Sequence, residues 1–346
     1  MNFNSIEVVA PNFKKRWSGV TSTIFRLLPI QKKLITIVTV GPSIPDSLPQ
    51  VSFIELLRLS SVKPRVWHAR RNLEMLGGLI LKKLFRKNLK LVFTSAAQRK
   101  HSSYTKKLIS RMDAVIATSQ KSANYLQVPH TIIHHGIDTE IFKPASNKIS
   151  LRSELDLPKG KLVGCFGRIR PQKGVDIFIE AMIRVCAQDP MAVGIVCGQT
   201  TSDHIEFEAN LKAQVTGAGL SDRIIFLGTQ PSDKLPLLFA ALDIYVAPQR
   251  NEGFGLTPLE AMASGVPVIA TTAGAFEEMV LNGETGYIVE VEDTKDLTER
   301  LVELLSNERK RKAFTKASIE RVAQYFDIKG EAATLVTLYK NLLSKA

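Results

Sequence analysis

Along the whole chain, short β-branched apolar blocks alternate with longer stretches in which apolar residues recur every three to four positions. In the second half, "KLVGCFGRI", "AVGIVCG", "RIIFLG", "DIYVAPQ", "GVPVIAT" and "GYIVEV" read as buried strands bounded by turn residues. Between them, "GVDIFIEAMIRVCAQD", "HIEFEANLKAQVTGAG", "SDKLPLLFAAL" and "DTKDLTERLVELLSNERKRKAFTKA" carry helical spacing. The first half repeats the rhythm, with strands expected at "SIEVVA", "LITIVTV", "PRVWHA", "LKLVFTS", "AVIATS" and "HTIIHHG". Strands alternating with helices predict parallel sheets covered on both faces. At 346 residues the chain exceeds one ordinary core. The expected fold class is therefore α/β: two Rossmann-like, doubly wound domains facing each other across a cleft. "FKPASNKISLRSELDLPKG", where Pro, Ser, Asn and Lys break the apolar pattern, reads as the linker. The expected domains are 1–145 and 146–328, with a C-terminal helix at 329–346 packing back towards the first.

Charge changes this picture. Residues 1–150 carry 24 Lys/Arg and 7 Asp/Glu, or +17; residues 151–346 carry 22 and 26, or −4, which together make the net +13. A basic half beside a mildly acidic one points to a polyanionic partner: nucleic acid, an anionic membrane surface or an acidic substrate. Nucleic acid is disfavoured, because the basic half has no interleaved aromatics, recognisable binding motif or zinc spacing. "GGLILKKLFRKNLK", residues 77–90, sets Leu79, Ile80, Leu84 and Phe85 against Lys82, Lys83, Arg86, Lys87 and Lys90. That is either a helix with a solvated face or one lying on a membrane surface. Cys165, Cys186 and Cys197 sit in apolar runs and read as buried thiols of a reducing compartment. The N-terminal stretch does not read as a secretory signal, and no apolar run approaches the ~20 residues of a membrane span.

Candidate chemistry concentrates in two loops. In "QRNEGFGLTPLEAMASGVPVIAT", Glu252 and Glu260 flank a Gly-Phe-Gly turn between a strand and a helix, the end of an open α/β sheet where ligands bind. Thr257 as N-cap, Pro258 at the first helical position and Glu260 three residues after the cap also spell a capping box. In "FGRIRPQKG", Arg168 and Lys173 surround a glycine-flanked helix start, where free N–H groups and the helix dipole favour a phosphate. The loop is neither a Walker loop nor a dinucleotide fingerprint. "RVWHARRN" puts His68 at a strand's end, followed by Arg70 and Arg71.

Taken together, "GRIRPQKG", "EGFGLTPLEAMASGVPVIAT" and "HHGIDTEIFKP" closely resemble the motifs of retaining family 4 glycosyltransferases of the GT-B fold. The resemblance implies a hexosyltransferase in which Arg168 and Lys173 hold a nucleotide sugar's diphosphate. Glu260 would bind the ribose and Glu252 the hexose, with Gly253, Phe254, Gly255, Leu256 and Thr257 lining the donor. Gly19, in "KRWSGVTSTI", would lie near the diphosphate, and Arg70 and Arg71 would meet the acceptor. Glu252, Arg168, Lys173 and His68 would be the catalytic set, with no metal and no cofactor beyond the nucleotide co-substrate. The chain departs from the family at Ser95 and Ala96, where many relatives have histidine, and at His135, where they have asparagine; the catalytic base stays unassigned. "SIEVVAPNFKKRWSGVTSTI" and "WHARRNLEML" look like the bacterial lipopolysaccharide-core mannosyltransferases. That likeness implies GDP-mannose as donor and an anionic Kdo–lipid A type glycolipid as acceptor. The enzyme would be cytoplasmic, held peripherally at the inner membrane through its basic half. A UDP-sugar transferase, or a sugar-nucleotide epimerase of the same fold, are the alternatives.

Overall fold

The computed structural model describes residues 5–15 and 19–345, so the expected glycine loop at 15–24 is described at residue 15 and from Gly19 onward, and residues 16–18 lie outside the described residues. The chain forms two compact units, one taking the described residues up to Gly136 together with those from Ile328, the other running Ile137–Asp327.

In the first unit, β1 (Val8–Pro11), α1 (Gly19–Gln31), β2 (Ile37–Val40), α2 (Phe53–Arg58), β3 (Arg65–Ala69) and α3 (Asn72–Lys83) lead to β4 (Leu89–Ser95). Then come α4 (Ser103–Ile109), β5 (Ala114–Ala117), α5 (Gln120–Ala123) and the two-residue β6 (Thr131–Ile132). The sheet order is β2-β1-β3-β4-β5-β6, and every pairing is parallel. The second unit begins with α6 (Lys148–Glu154), β7 (Lys161–Phe166), α7 (Val175–Gln188), β8 (Ala192–Cys197), α8 (Ile205–Gly217) and β9 (Ile224–Gly228). It continues with α9 (Leu235–Ala241), β10 (Ile244–Ala247), α10 (Thr257–Ala263), β11 (Val268–Thr271), α11 (Phe276–Met279) and β12 (Gly286–Val289). Two long helices, α12 (Thr294–Ser306) and α13 (Glu308–Tyr325), close it. Its sheet is also all parallel, in the order β12-β11-β10-β7-β8-β9. Eleven of the twelve strands fall inside a block expected from the apolar pattern, and β1 runs one residue past its block, to Pro11. Those blocks are continuous rather than alternating because helices cover both faces of a parallel sheet.

The last helix, α14 (Ile328–Ser344), belongs to the first unit. Ile328, Ala332, Leu335, Val336 and Tyr339 enter the same core as Ile24, Leu28 and Val66. Its polar contacts are equally specific. Glu331 accepts from the Gly136 amide (2.7 Å) and pairs with His135 (2.8 Å). The fully buried Tyr339 hydroxyl meets Nδ1 of His68 (2.5 Å), whose Nε2 contacts Thr94 (2.7 Å).

Two expected boundaries move. The expected helix at 77–90 is α3, which starts five residues earlier and stops at Lys83. Arg86 takes φ +50°, and Leu89 and Lys90 are already in β4. Gly77 and Gly78 are mid-helix because a Cβ on Gly78 would stand 2.5 Å from the Trp67 ring. The expected linker is not one either: residues 137–160 are part of the second unit. Arg152 of α6 donates to the Ala241 carbonyl (2.8 Å) and pairs with Asp243 (2.8 Å), and Lys148 reaches the Leu242 carbonyl (2.5 Å). Polar anchors hold this helix, so its apolar pattern was weak.

Burial holds the His68 imidazole well below its ordinary pKa, helped by Arg70 and His135. The unfolded chain takes up a proton as pH falls through about 6.5, whereas the folded imidazole stays neutral. Stability carried by His68 is therefore present above about pH 6.5 and lost below it, at up to about 1.4 kcal/mol per pH unit. Urea unfolding at pH 7.5 and 5.5 should show that slope in the wild type and a smaller one in His68→Gln. Tyr339→Phe, which strips the buried Nδ1 of its partner, should cost about 1–3 kcal/mol at pH 7.5.

Candidate active site

The two motif loops become neighbours through strand order. β7 and β10 pair directly, Ile244 opposite Val163 and Tyr245 opposite Gly164. From β7 the sheet grows through β8 to β9; from β10 it grows the other way through β11 to β12. The connections thus depart in opposite directions, leaving the carboxyl ends of β7 and β10 uncovered, as at the ligand-binding switch point of open α/β sheets. Residues 167–174 leave β7 there and residues 248–256 leave β10. They touch: Gly174 has φ +68°, and a Cβ on it would lie 1.9 Å from the Pro248 carbonyl oxygen. Only glycine permits that approach.

The contact brings two expected site residues together. Lys173 donates to Oε2 of Glu252 in an ion pair whose side chains are 19 % and 23 % exposed. Oε1 of Glu252 accepts from the Gly253 amide (3.0 Å). The Glu252 stem is wedged between two glycines in left-handed conformations. A Cβ on Gly255 (φ +83°) would come within 2.9 Å of Glu252 Cγ, and one on Gly274 (φ +61°) within 3.1 Å of its Cβ. Phe254 is buried, and its carbonyl accepts from the Ala275 amide (3.1 Å), which fixes the turn from below. Arg168 is partly exposed and makes no ion pair among the described residues. One cation and one carboxylate thus meet at one sheet end, with Arg168 on the same loop as Lys173, a set suited to an anion bearing hydroxyl groups.

Sequence reasoning missed the residue that ties the loops. Arg250 forks onto Asp176 in the first turn of α7 (2.8 and 2.7 Å) and donates to the Pro171 carbonyl (2.5 Å). Its Nε pairs with Glu292 (2.7 Å), and its amide donates to the Gln172 carbonyl (3.1 Å). Asp176, then Glu292, hold the guanidinium pKa above its ordinary value. The available signal was an arginine two residues before Glu252 matched by an acidic residue two after Gly174.

Helix α10 differs from expectation. Leu256 already has helical dihedrals and no side chain caps the helix, so Thr257 is its first residue rather than its cap. The Glu260 amide donates to the Leu256 carbonyl (3.0 Å), and the capping box is not formed. Glu260 is 7 % exposed, beside the buried Tyr245 hydroxyl, which donates to the Phe166 carbonyl (3.1 Å) and also feels Thr257. The Glu260 carboxylate is thus buried without capping its helix.

In the first unit, the expected residues divide. His68 is 1 % exposed with both ring nitrogens bonded, so it is a packed core histidine and not a presented base. Arg71 is committed to Glu74 (2.7 Å), Asn12 (2.9 Å) and Thr21 (2.9 Å), tying the residue after β1 to α1. Arg70 is partly buried, its guanidinium reaching the His68 carbonyl (3.3 Å) and its amide donating to Glu74 (2.8 Å). Gly19 is exposed at the start of α1, with nothing within 4 Å of where a Cβ would stand. Ser95 lies 3.4 Å from Nε2 of His101. Among the described residues, no group of three or more His, Cys, Asp or Glu side chains is placed to hold a metal ion.

Comparison with known proteins fits this geometry. The profile of the glycosyl transferases group 1 matches residues 147–321, the part that carries both loops. The chain is 47 % identical over 351 residues to the lipopolysaccharide core biosynthesis mannosyltransferase LpsB of Rhizobium meliloti (strain 1021), covering 99 % of each chain. It is 47 % identical over 347 residues to the lipopolysaccharide core biosynthesis mannosyltransferase LpcC of Rhizobium leguminosarum bv. viciae, covering 99 % of this chain and 98 % of that one. The crystal structure of HepE from Anabaena in complex with UDP superposes with a TM-score of 0.85 at 21 % identity, over 97 % of this chain and all of that one. That likeness establishes the GT-B fold of two Rossmann-like units. Matched by the family profile over the site and by two named transferases from end to end, the chain belongs to the group 1 glycosyl transferases and is a glycosyltransferase.

Proposed function

We propose that this enzyme moves mannose from GDP-mannose, with retention of configuration, onto an anionic Kdo–lipid A type glycolipid at the cytoplasmic face of the membrane. The observation that carries the reading is the meeting of Lys173 and Glu252 at the β7–β10 switch point, in a chain 47 % identical throughout to two proteins named as lipopolysaccharide core mannosyltransferases. In this reading Arg168 and Lys173 bind the diphosphate and Glu252 the hexose hydroxyls. Glu260 binds the ribose. Backbone N–H groups from Gly253 to Thr257 line the donor. As the bond from the anomeric carbon to the diphosphate oxygen breaks, negative charge grows on the leaving group. Fixed cations aimed at that oxygen stabilise the transition state more than the ground state. Arg168 and Lys173 supply this charge, so the reaction is read as needing no metal. The second reading, a UDP-sugar donor, is favoured by the UDP bound to HepE, a protein of the same fold.

The acceptor and the membrane are assigned to the first unit. Between α3 and α4 runs a groove of roughly 410 Å³ floored by Leu76, Leu79 and Leu108 and rimmed by Lys83, Lys107 and Arg111. Leu84, Phe85 and Tyr104 stand exposed beside it. Apolar side chains among cations that form no ion pair among the described residues suit an anionic bilayer surface. Lys82 and Lys87 are not part of this set, being bonded to Asp113 and the Leu59 carbonyl. Among the described residues, no helix is long and apolar enough to cross a membrane.

Thermal unfolding with a panel of nucleotides and nucleotide sugars, without added metal, tests the donor. A ligand at 100 times its Kd adds about 2.7 kcal/mol of stability. GDP and GDP-mannose should raise Tm selectively; a preference for UDP sugars discards mannose, and no shift with any nucleotide discards the site. Lys173→Ala and Glu252→Ala should each lower kcat/KM by roughly 100-fold or more with Tm little changed. Lys83→Gln/Lys107→Gln/Arg111→Gln should weaken binding to anionic vesicles by roughly a hundredfold, at about 1 kcal/mol per cation. Donor affinity should be unchanged, and unaltered vesicle binding would make the groove merely solvated.

A further inference from the structure

Lys173 and Glu252 are assigned to different parts of the donor, the diphosphate and the hexose, yet in the structure they are bonded to each other. Neither side chain has an easy alternative. The Glu252 stem is confined by Gly255, Gly274 and the Phe276 ring that abuts Gly255, and its second oxygen is held by the Gly253 amide. Both side chains are about four-fifths buried, so a charge placed between them is felt strongly. Arg250 holds the backbone on either side of Lys173, bonding to the Pro171 and Gln172 carbonyls and to the Asp176 carboxylate.

We infer that Glu252, besides contacting the hexose, makes the site prefer a nucleotide sugar over the bare nucleoside diphosphate by competing with the diphosphate for Lys173. The inference rests on the donor-site reading above. A diphosphate that takes Lys173 leaves the Glu252 carboxylate without its cation and beside new negative charge. When a sugar is attached, its hydroxyl groups donate to the freed carboxylate oxygens and satisfy them. When the sugar has gone, nothing replaces those donors, and like charges face each other in a poorly solvated corner. The penalty therefore falls on the product and spares the substrate. Arg168, unpaired among the described residues, attracts both ligands alike and does not discriminate. After transfer, re-forming the Lys173–Glu252 pair drives the nucleoside diphosphate off and resets the site.

Glu252→Gln isolates this effect. The amide keeps the shape of the side chain, its oxygen can still accept from Gly253, and only the negative charge is lost. Titration calorimetry with GDP and GDP-mannose, or with UDP and UDP-glucose if the uridine pair stabilises the protein, gives four dissociation constants. The variant should bind the diphosphate about fivefold tighter than the wild type, with no such gain for the nucleotide sugar. Product inhibition of its residual transfer should deepen to match. Unchanged or weaker diphosphate binding in Glu252→Gln, with binding lost in Lys173→Ala, overturns the competition and leaves the donor site standing. Equal diphosphate binding by wild type, Glu252→Gln and Lys173→Ala removes the donor-site reading and this inference with it. If the glutamine variant unfolds early, Glu252→Asp, which withdraws the charge from Lys173 by one methylene, should show a smaller gain in the same direction, and no gain there counts against the competition.

Discussion

The pairing of β7 with β10 is the constraint on which the site depends. Two strands separated by some eighty residues are made neighbours in a parallel sheet, and only because the chain builds outward from each in opposite directions do their carboxyl ends stay open. Everything chemical follows from that adjacency. It lets Gly174 rest against the Pro248 carbonyl, lets Arg250 clamp the first turn of α7, and delivers Lys173 to Glu252. The glycines are steric conditions of the arrangement. A side chain at Gly174 would push the loops apart, and one at Gly255 would displace the carboxylate it packs against.

Much of the fold was legible because parallel strands covered on both faces leave continuous apolar blocks, and these mark the strands even where pairing cannot be foreseen. What was not legible depended on contacts distant in sequence. The end of α3 is set by the entry of Leu89 into β4, and α6 is held by bonds from Lys148 and Arg152 to residues ninety positions away. The cap at α10 failed for a local reason: Leu256 turns helical one residue early, which no side-chain pattern announces. The motif loops were readable as glycine, cation and carboxylate at fixed spacing. Arg250 was not, because its importance lies in Asp176 and Glu292, partners on other elements.

The basic character of the first unit also needs dividing. Arg65 is 2 % exposed and donates to the carbonyls of Ile6, Ser60 and Lys63, and Arg71 is spent on Glu74, Asn12 and Thr21. These cations hold the backbone together and contribute little to the outward field. Part of the excess that remains at the surface lies at α3 and α4, where Lys83, Lys107 and Arg111 line a groove with apolar side chains. Net charge counted from composition therefore overstates the charge that the surface of this unit presents.

The return of α14 to the first unit has a consequence for biosynthesis. The core around Ile24, Leu28 and Val66 is completed by Leu335, Val336 and Tyr339, which are made after the whole of the second unit. Residues 137–327, by contrast, contain their whole unit without interruption. Domains usually fold in the order in which they are made. In this chain the second can close first, while the first waits with an unfilled hydrophobic surface until α14 has been made. The nascent chain therefore exposes the unfilled core of its basic unit longest, during the interval in which holdase chaperones would have most to protect.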